Sequence, residues 1–133
     1  MTDSKKKEII CLIDDDKVYQ YTASKSIEAS SVVKRVLVFD DGEQAYTYLV
    51  DNLTLRENLP DIIFLDINMP YMDGWEFMEE FVKLKPKLSK TITIYMVSSS
   101  LQEDDINKAK SLESISEYII KPISKERFKE LLT

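Results

Sequence analysis

Five short apolar runs recur along the chain, and each is followed by a stretch whose apolar residues lie three or four positions apart. The runs cover residues 9–13, 36–39, 62–65, 92–97 and 118–120 and are rich in β-branched and aromatic side chains. Runs of this composition and length are typical of strands that are buried on both faces. The spacing after each run predicts an amphipathic helix.

Five strands that are each followed by a helix predict a parallel sheet with right-handed crossovers and helices on both faces. The predicted apolar faces comprise Val18, Tyr19, Thr22, Ala23, Ser26 and Ile27 in the first helix, and include Leu49, Phe77, Ala109 and Phe128 in the later ones. The pattern contains no repeat and no interdomain linker. We therefore expect one α/β domain over residues 8–133, preceded by a flexible tail over residues 1–7.

Composition and charge narrow the class of protein. The chain has 133 residues, of which 44% are apolar, enough for one core and too few for two ordinary domains. A formal net charge of -6 argues against nucleic acid or an anionic membrane as a partner. No stretch approaches the roughly 18 apolar residues that span a bilayer. The single cysteine, Cys11, cannot form a disulfide within the chain. We expect a cytoplasmic domain.

Polar residues follow four of the five predicted strands at the point where each strand ends. They are Asp14 to Asp16 after the first strand, Asp66 after the third, Ser98 to Ser100 after the fourth and Lys121 after the fifth. Because the carboxyl ends of parallel strands share one edge of the sheet, where ligands bind, we expect these side chains to converge. After the second strand, Asp40 and Asp41 precede Gly42, which predicts a turn and a helix start instead.

The chemistry of this edge favours a hard metal ion and a phosphoryl group. Two like charges about 4 Å apart repel by about 4 kcal/mol at an effective dielectric constant of about 20, so Asp14, Asp15 and Asp66 favour a bound cation. Carboxylates without histidine or cysteine select Mg²⁺, with Mn²⁺ as a substitute. Lys121 and the Ser98 hydroxyl would complete a site for a tetrahedral dianion. This arrangement indicates phosphoryl transfer to an aspartate.

Each of these features also has an ordinary structural interpretation. Acidic residues after a strand are commonly helix N-caps or solvated loop charges, and we expect Asp16 at the start of the first helix. A serine run can begin a helix, and a Lys-Pro pair can simply form a loop. The joint placement of these groups at four strand ends of one sheet favours a functional site.

From about residue 8 to residue 132, the chain resembles a response-regulator receiver domain of two-component signalling. The strongest match is residues 65–77, LDINMPYMDGWEF, which are similar to the family's phosphoacceptor strand and the loop that follows it. The acidic pair upstream, the serine after the fourth strand and the Lys-Pro pair add to the match. The resemblance implies a flavodoxin-like three-layer α/β/α sandwich with a five-stranded parallel sheet of order 2-1-3-4-5 and five helices.

The resemblance also implies a role for individual residues of the site. Asp66 corresponds to the aspartate that accepts phosphate from a sensor histidine kinase or a histidine phosphotransfer protein. Asp15 corresponds to the direct Mg²⁺ ligand, and Asp14 to the neighbour that holds the ion through water. Asn68 corresponds to the residue whose backbone carbonyl completes the metal shell, and Lys121 to the lysine that contacts the phosphoryl oxygens.

Four further positions match residues that shape or switch the site. Pro122 implies a cis bond after the lysine, and Gly74 corresponds to the glycine that permits a tight turn. Ser98 matches a hydroxyl that contacts the phosphoryl group, and Tyr118 matches an aromatic residue that moves inward upon phosphorylation; an ordinary surface tyrosine is the alternative. The family usually has threonine at position 98, and serine lacks its β-branched stiffness.

The resemblance implies a non-enzymatic signalling protein whose binding surface for a downstream protein changes upon phosphorylation. We expect no DNA-binding domain in this chain and a stand-alone receiver, either a monomer or a weak phosphorylation-linked dimer; the alternative is a receiver excised from a larger regulator that carries the effector. The alternatives are an Mg²⁺-dependent phosphohydrolase that forms an aspartyl phosphate, a pseudo-receiver that is not phosphorylated and a flavin-binding domain. Asn68 argues against the phosphohydrolase, which needs a carboxylate two residues beyond its nucleophile. The acidic residues after the first strand would repel a flavin phosphate.

Overall fold

The computed structural model describes residues 9–30 and 33–132, and these form alternating strands and helices. The strands are β1 (Ile9–Ile13), β2 (Arg35–Phe39), β3 (Ile62–Leu65), β4 (Thr93–Ser98) and β5 (Ile115–Ile120). The helices are α1 (Lys17–Ser30), α2 (Gly42–Asp51), α3 (Gly74–Leu84), α4 (Glu103–Ser111) and α5 (Lys125–Leu132). Single 3₁₀ turns at Arg56–Asn58 and Lys85–Lys87 follow α2 and α3.

All five strands are parallel and lie in the order β2-β1-β3-β4-β5, which confirms the predicted fold. Side chains alternate between the two faces of the sheet. In β1, Ile10 and Leu12 pack with the residues of α1 and α5, whereas Cys11 and Ile13 pack with the larger cluster that includes α2 and α3. The helices therefore cover both faces of the sheet.

The two outer strands differ from the prediction of burial on both faces. Val38 in β2 and Ile120 in β5 are each 39% exposed. An outer strand has a neighbour on one side only, and the flanking helices cover the centre of the sheet better than its edges. The fifth strand begins at Ile115, three residues before the predicted 118–120 run. The prediction missed this start because the exposed residues in the middle of the strand break the apolar pattern.

Helix α1 is rotated relative to the predicted apolar face. Val18 is 74% exposed, whereas Gln20 is buried together with Ala23 and Ile27. Asp16 accepts hydrogen bonds from the backbone N–H groups of residues 18 and 19, at 3.0 and 3.1 Å, and thus caps the helix as expected. The Ala23–Ile27 pair, four residues apart, therefore defines the buried face.

The second helix begins as predicted, since Asp41 is its N-cap and accepts a hydrogen bond from the Gln44 N–H. The predicted tail over residues 1–7 lies outside the described residues. Within residues 9–30 and 33–132, no helix is both long and apolar enough to cross a membrane.

Candidate functional site

Three carboxylates converge where β1 and β3 end. The strands pair in register up to Ile13 and Leu65, so the next residue of each strand, Asp14 and Asp66, lies at the same edge of the sheet. One carboxylate oxygen from each of Asp14, Asp15 and Asp66 lies within 4.8 Å of the others. Asp14 and Asp66 are buried, whereas Asp15 is exposed. Two of the three negative charges are therefore held away from water.

Backbone hydrogen bonds fix the positions of the two buried aspartates. The Asp66 N–H donates to the Ile13 carbonyl at 2.9 Å, and the Asp14 N–H donates to the Phe39 carbonyl at 3.0 Å. Asp14 is therefore anchored to β2 and Asp66 to β1, and the carboxylate geometry follows from the order of strands in the sheet.

Lys121 supplies the positive charge of the site. Its Nζ lies 2.7 Å from Asp14 Oδ2 and 3.6 Å from Asp66 Oδ1. Its backbone N–H donates to the Ser98 carbonyl, and its peptide bond to Pro122 is cis, the isomer that the resemblance implies. Burial would lower the pKa of Lys121, but the hydrogen bond that its ammonium group donates to Asp14 and the charge of Asp66 outweigh burial and raise it. The lysine stays charged and offsets only one of three carboxylates.

The carboxyl group of Asp66 binds a proton more readily than an exposed aspartate. Its pKa is raised from 3.8 to about 6, mainly by burial and then by the negative charge of Asp14, while the positive charge of Lys121 lowers it in part. Near pH 7 the group is ionised, so it can act as a nucleophile or as a metal ligand. The ionised form is nevertheless costly to the fold.

We expect the Asp66→Asn variant of the metal-free protein to be more stable than the parent at neutral pH, by about 2 kcal/mol. Between pH 3.8 and about 6, folded Asp66 binds more protons than unfolded Asp66, so its contribution to stability is present at low pH and falls as the pH rises. Urea denaturation from pH 4 to pH 7 measures the difference. A gap between the two proteins that stays constant with pH would contradict the raised pKa. Asp104→Asn, which changes an exposed carboxylate, is the control.

Ser98 and Tyr118 are joined through the backbone of one residue, Ser100. Ser98 is buried, and its Oγ accepts a hydrogen bond from the Ser100 N–H at 3.1 Å. The Tyr118 hydroxyl donates to the Ser100 carbonyl at 2.9 Å, and its half-buried ring packs against the larger core cluster. Tyr118 is therefore half-buried and bound to the segment after β4, and its role as a switch stays a prediction. A shift of the Ser98 hydroxyl would therefore alter its hydrogen bond to Ser100, the residue whose carbonyl holds the tyrosine hydroxyl.

The loop after β3 passes close to Gly74, the first residue of α3. A Cβ atom at Gly74 would lie 2.4 Å from the Asp66 carbonyl oxygen and 3.0 Å from Ile67 Cα. The Gly74 N–H donates to the Ile67 carbonyl at 2.8 Å. No described glycine has a positive φ; the left-handed residue of this loop is Tyr71, at 66°. Gly74 is thus required by lack of space rather than by an unusual backbone conformation.

Asn68, the residue expected to offer its backbone carbonyl to the metal ion, also follows β3, and its side chain is exposed.

Sequence reasoning missed two side chains of α1 that support the site. Gln20 Nε2 donates to the Asp14 carbonyl at 2.6 Å and to Asp40 Oδ1 at 2.8 Å, and Asp40 also pairs with Lys17 at 2.6 Å. The Tyr19 ring lies beneath Lys121, whose Nζ is 4.4 Å from the ring centroid. The periodicity placed Tyr19 on the apolar face of the helix but carried no sign of its contact with Lys121, and it left Gln20, a polar residue, off that face.

The donor set fits a hard divalent cation. It consists of carboxylate oxygens, and three negative charges face a single ammonium group. Asp14 Oδ1 already accepts a hydrogen bond from the Asp16 N–H, and Oδ2 contacts Lys121. The carboxylate of Asp15 is exposed and is the more accessible ligand.

Comparisons with known proteins agree over nearly the whole chain. Residues 10–133 match the family model described as the response regulator receiver domain. The crystal structure of a two-component response regulator from Cytophaga hutchinsonii has a TM-score of 0.80 and 28% identity and covers 95% of this chain and 94% of that chain.

Two cyanobacterial response regulators are also similar. Rcp1 from Synechocystis sp. is 28% identical over 105 residues, which is 78% of this chain and 70% of Rcp1. The Mn²⁺-bound structure of Rcp1 has a TM-score of 0.73 and 27% identity, covering 94% of this chain and 89% of that one. The structure of the phosphorylated cyanobacterial phytochrome response regulator RcpA has a TM-score of 0.74 and 29% identity, and it covers 94% of this chain and 88% of that chain.

Proposed function

The chain belongs to the response regulator receiver family, and on this premise we propose that Asp66 accepts a phosphoryl group from a histidine residue of a signalling partner. The observation that carries the proposal is the convergence of a buried nucleophilic carboxylate, two further carboxylates and one ammonium group at the edge of the sheet. A sensor histidine kinase or a histidine phosphotransfer protein is the donor that this chemistry suits.

The reaction is an in-line displacement at phosphorus. An Asp66 oxygen forms the new P–O bond while the P–N bond to the donor imidazole breaks, and the imidazole takes up a proton from water. Lys121 stabilises the negative charge on the phosphoryl oxygens, and the Ser98 hydroxyl donates a hydrogen bond to one of them. Hydrolysis by water later returns the carboxylate and releases inorganic phosphate, without a separate catalytic base.

A divalent cation, Mg²⁺ with Mn²⁺ as a substitute, would neutralise charge on the phosphoryl oxygens and on the carboxylates when bound. Asp15 and Asp66 would hold it directly, together with the backbone carbonyl of Asn68, and Asp14 through water. The two protein partners of Asp14 and the exposure of Asp15 support this division of roles. The Mn²⁺-bound form of Rcp1 is consistent with such a site.

The output of phosphorylation is a changed protein-binding surface. Once the Ser98 hydroxyl turns toward the phosphoryl group, it releases the Ser100 N–H, and Ser100 also holds the Tyr118 hydroxyl. The new charge on Asp66 therefore shifts an equilibrium of the β4–α4 segment and of the surface beside it. The downstream partner is a protein that binds this surface.

We expect acetyl phosphate with Mg²⁺ to add one acid-stable, hydroxylamine-labile phosphoryl group, measured by intact mass. Removing the metal with a chelator should abolish the addition, and Asp15→Asn should slow it by at least about tenfold, because this change removes a charged ligand. Asp104→Asn, at an exposed position of α4, is the matched control. Phosphorylation that proceeds equally well without metal would contradict the roles given to Asp14 and Asp15.

A phosphohydrolase that forms an aspartyl phosphate would use the same carboxylate, metal and lysine. Such an enzyme needs an acid or base two residues beyond the nucleophile, and that position holds Asn68. We therefore propose a receiver that is not an enzyme toward other substrates. Multiple turnovers of a phosphomonoester, with release of phosphate in excess over protein, would favour the phosphohydrolase.

A further inference from the structure

We propose that Tyr19 positions the Lys121 ammonium group by presenting the face of its ring, and that this contact sets the rate at which Asp66 accepts phosphate. The proposal rests on the proposed function and adds to it a residue that no part of the receiver motif includes. Tyr19 touches neither the phosphoryl group nor Asp66 in this scheme and acts only through the lysine.

Three groups surround the Lys121 ammonium: Asp14 at 2.7 Å, Asp66 at 3.6 Å and the Tyr19 ring centroid at 4.4 Å. A cation within about 6 Å of a ring centroid is attracted by the negative face of the ring, and the attraction strengthens when water is excluded. Only 17% of the Lys121 side chain is exposed. The geometry is therefore that of a favourable, partly desolvated cation–π contact.

Unlike the two carboxylates, the Tyr19 ring contacts Lys121 without being part of the candidate metal site. The carboxylates of Asp14 and Asp66 also belong to the candidate metal site, so a bound cation would share their charge and weaken their hold on the lysine. The ring carries no net charge and would keep its contact with Lys121 whether or not a cation is bound. A lysine restrained in this way loses less side-chain freedom when it contacts the phosphoryl oxygens.

The hydroxyl of Tyr19 supports the view that the ring is the functional part. It is buried and has no hydrogen-bond partner among the described residues. Burial raises the pKa of Tyr19, and the charges of Asp14 and Asp66 raise it further, so the side chain stays neutral. A buried hydroxyl without a partner is unfavourable, and phenylalanine would suit the packing at least as well.

The experiment compares three variants under phosphorylation by acetyl phosphate with Mg²⁺. Tyr19→Leu removes the ring and should lower the rate about fivefold to tenfold. Tyr19→Phe keeps the ring and should restore the rate to within about twofold of the parent. Tyr21→Leu is the matched control, because Tyr21 lies on the same helix with Lys25 over its ring at 5.5 Å but is 66% exposed. Its rate should equal that of the parent.

Two measurements separate positioning from damage to the fold or to the metal site. Titration calorimetry with MgCl₂ should give the same affinity for the parent and Tyr19→Leu, and a parallel loss of affinity would overturn the proposal. Pentafluorophenylalanine at position 19 keeps the shape of the ring but reverses its charge distribution, so the rate should fall as it does in Tyr19→Leu. A parent-like rate with this side chain would also overturn it.

Nuclear magnetic resonance tests the contact in the metal-free protein, independently of phosphorylation. The Lys121 Hε protons should be shifted upfield by the ring in the parent and in Tyr19→Phe, but not in Tyr19→Leu. If the parent shows no such shift, the lysine does not lie over the ring and the proposal fails. If the upfield shift is present but neither the parent nor any variant accepts phosphate, the proposed function fails instead.

Discussion

Replacing Asp66 with alanine is expected to abolish phosphorylation by acetyl phosphate. The variant lacks the carboxylate that would attack phosphorus, and the remaining candidates are less suitable. Both oxygens of Asp14 have protein partners, and Asp15 is exposed to water. We expect a loss of more than about 100-fold in the extent of modification at a fixed time, measured by intact mass, because the covalent bond cannot form without the nucleophile.

Two controls make this result specific to the nucleophile. Asp104→Ala removes an exposed carboxylate and should be phosphorylated like the parent. Asp66→Ala should keep the native fold, judged by circular dichroism, since it removes a buried charge whose ionised form is costly to the fold. If Asp66→Ala accepts phosphate to the same extent as the parent, the assignment of the nucleophile is wrong.

Gly74→Ala is expected to destabilise the protein by about 3 kcal/mol, although alanine forms helices more readily than glycine. The added Cβ would lie 2.4 Å from the carbonyl oxygen of Asp66, which is backbone and cannot rotate away. The loop after β3 must shift to relieve the overlap. Urea denaturation measures the loss of stability, and acetyl phosphate measures the accompanying loss of phosphorylation as Asp66 moves.

Gly42→Ala is the matched variant, because Gly42 is the first residue of α2 as Gly74 is of α3. Its Cβ would lie 2.8 Å from the Met72 carbonyl oxygen, a less severe overlap that involves the backbone of Met72 rather than that of Asp66. We expect a smaller loss of stability and a smaller effect on phosphorylation. A Gly74→Ala protein that is as stable as the parent would show that the loop has room for a side chain.

The strands at the centre of the sheet were predictable because they are buried on both faces. β1 and β3 coincide with their apolar runs, and β4 differs by one residue at each end. The outer strand β5 was found only in part, since Ser116 and Glu117 lie at its exposed middle. Periodicity detects burial, and it weakens wherever an element lies at an edge.

The residues of the site were predictable for a different reason. Parallel strands bring their carboxyl ends to one edge, so Asp14, Asp66, Ser98 and Lys121 could be placed together from chain order and the receiver resemblance. Their individual roles remain predictions. The supporting contacts from α1 were not predictable, because the sequence does not fix how a helix is rotated on the sheet. Val18 was expected inside and is exposed, whereas Gln20 is buried.

The sequence by itself determined the fold class, the order of elements and the set of polar residues at the edge of the sheet, because these follow from the spacing of apolar residues along the chain. The tertiary structure decided which groups touch Lys121, why position 74 must be glycine and how Ser98 is connected to Tyr118. These features depend on distances of a few ångströms between residues that are far apart in the chain. Such distances are set when helices and loops pack together, and local periodicity carries no record of them.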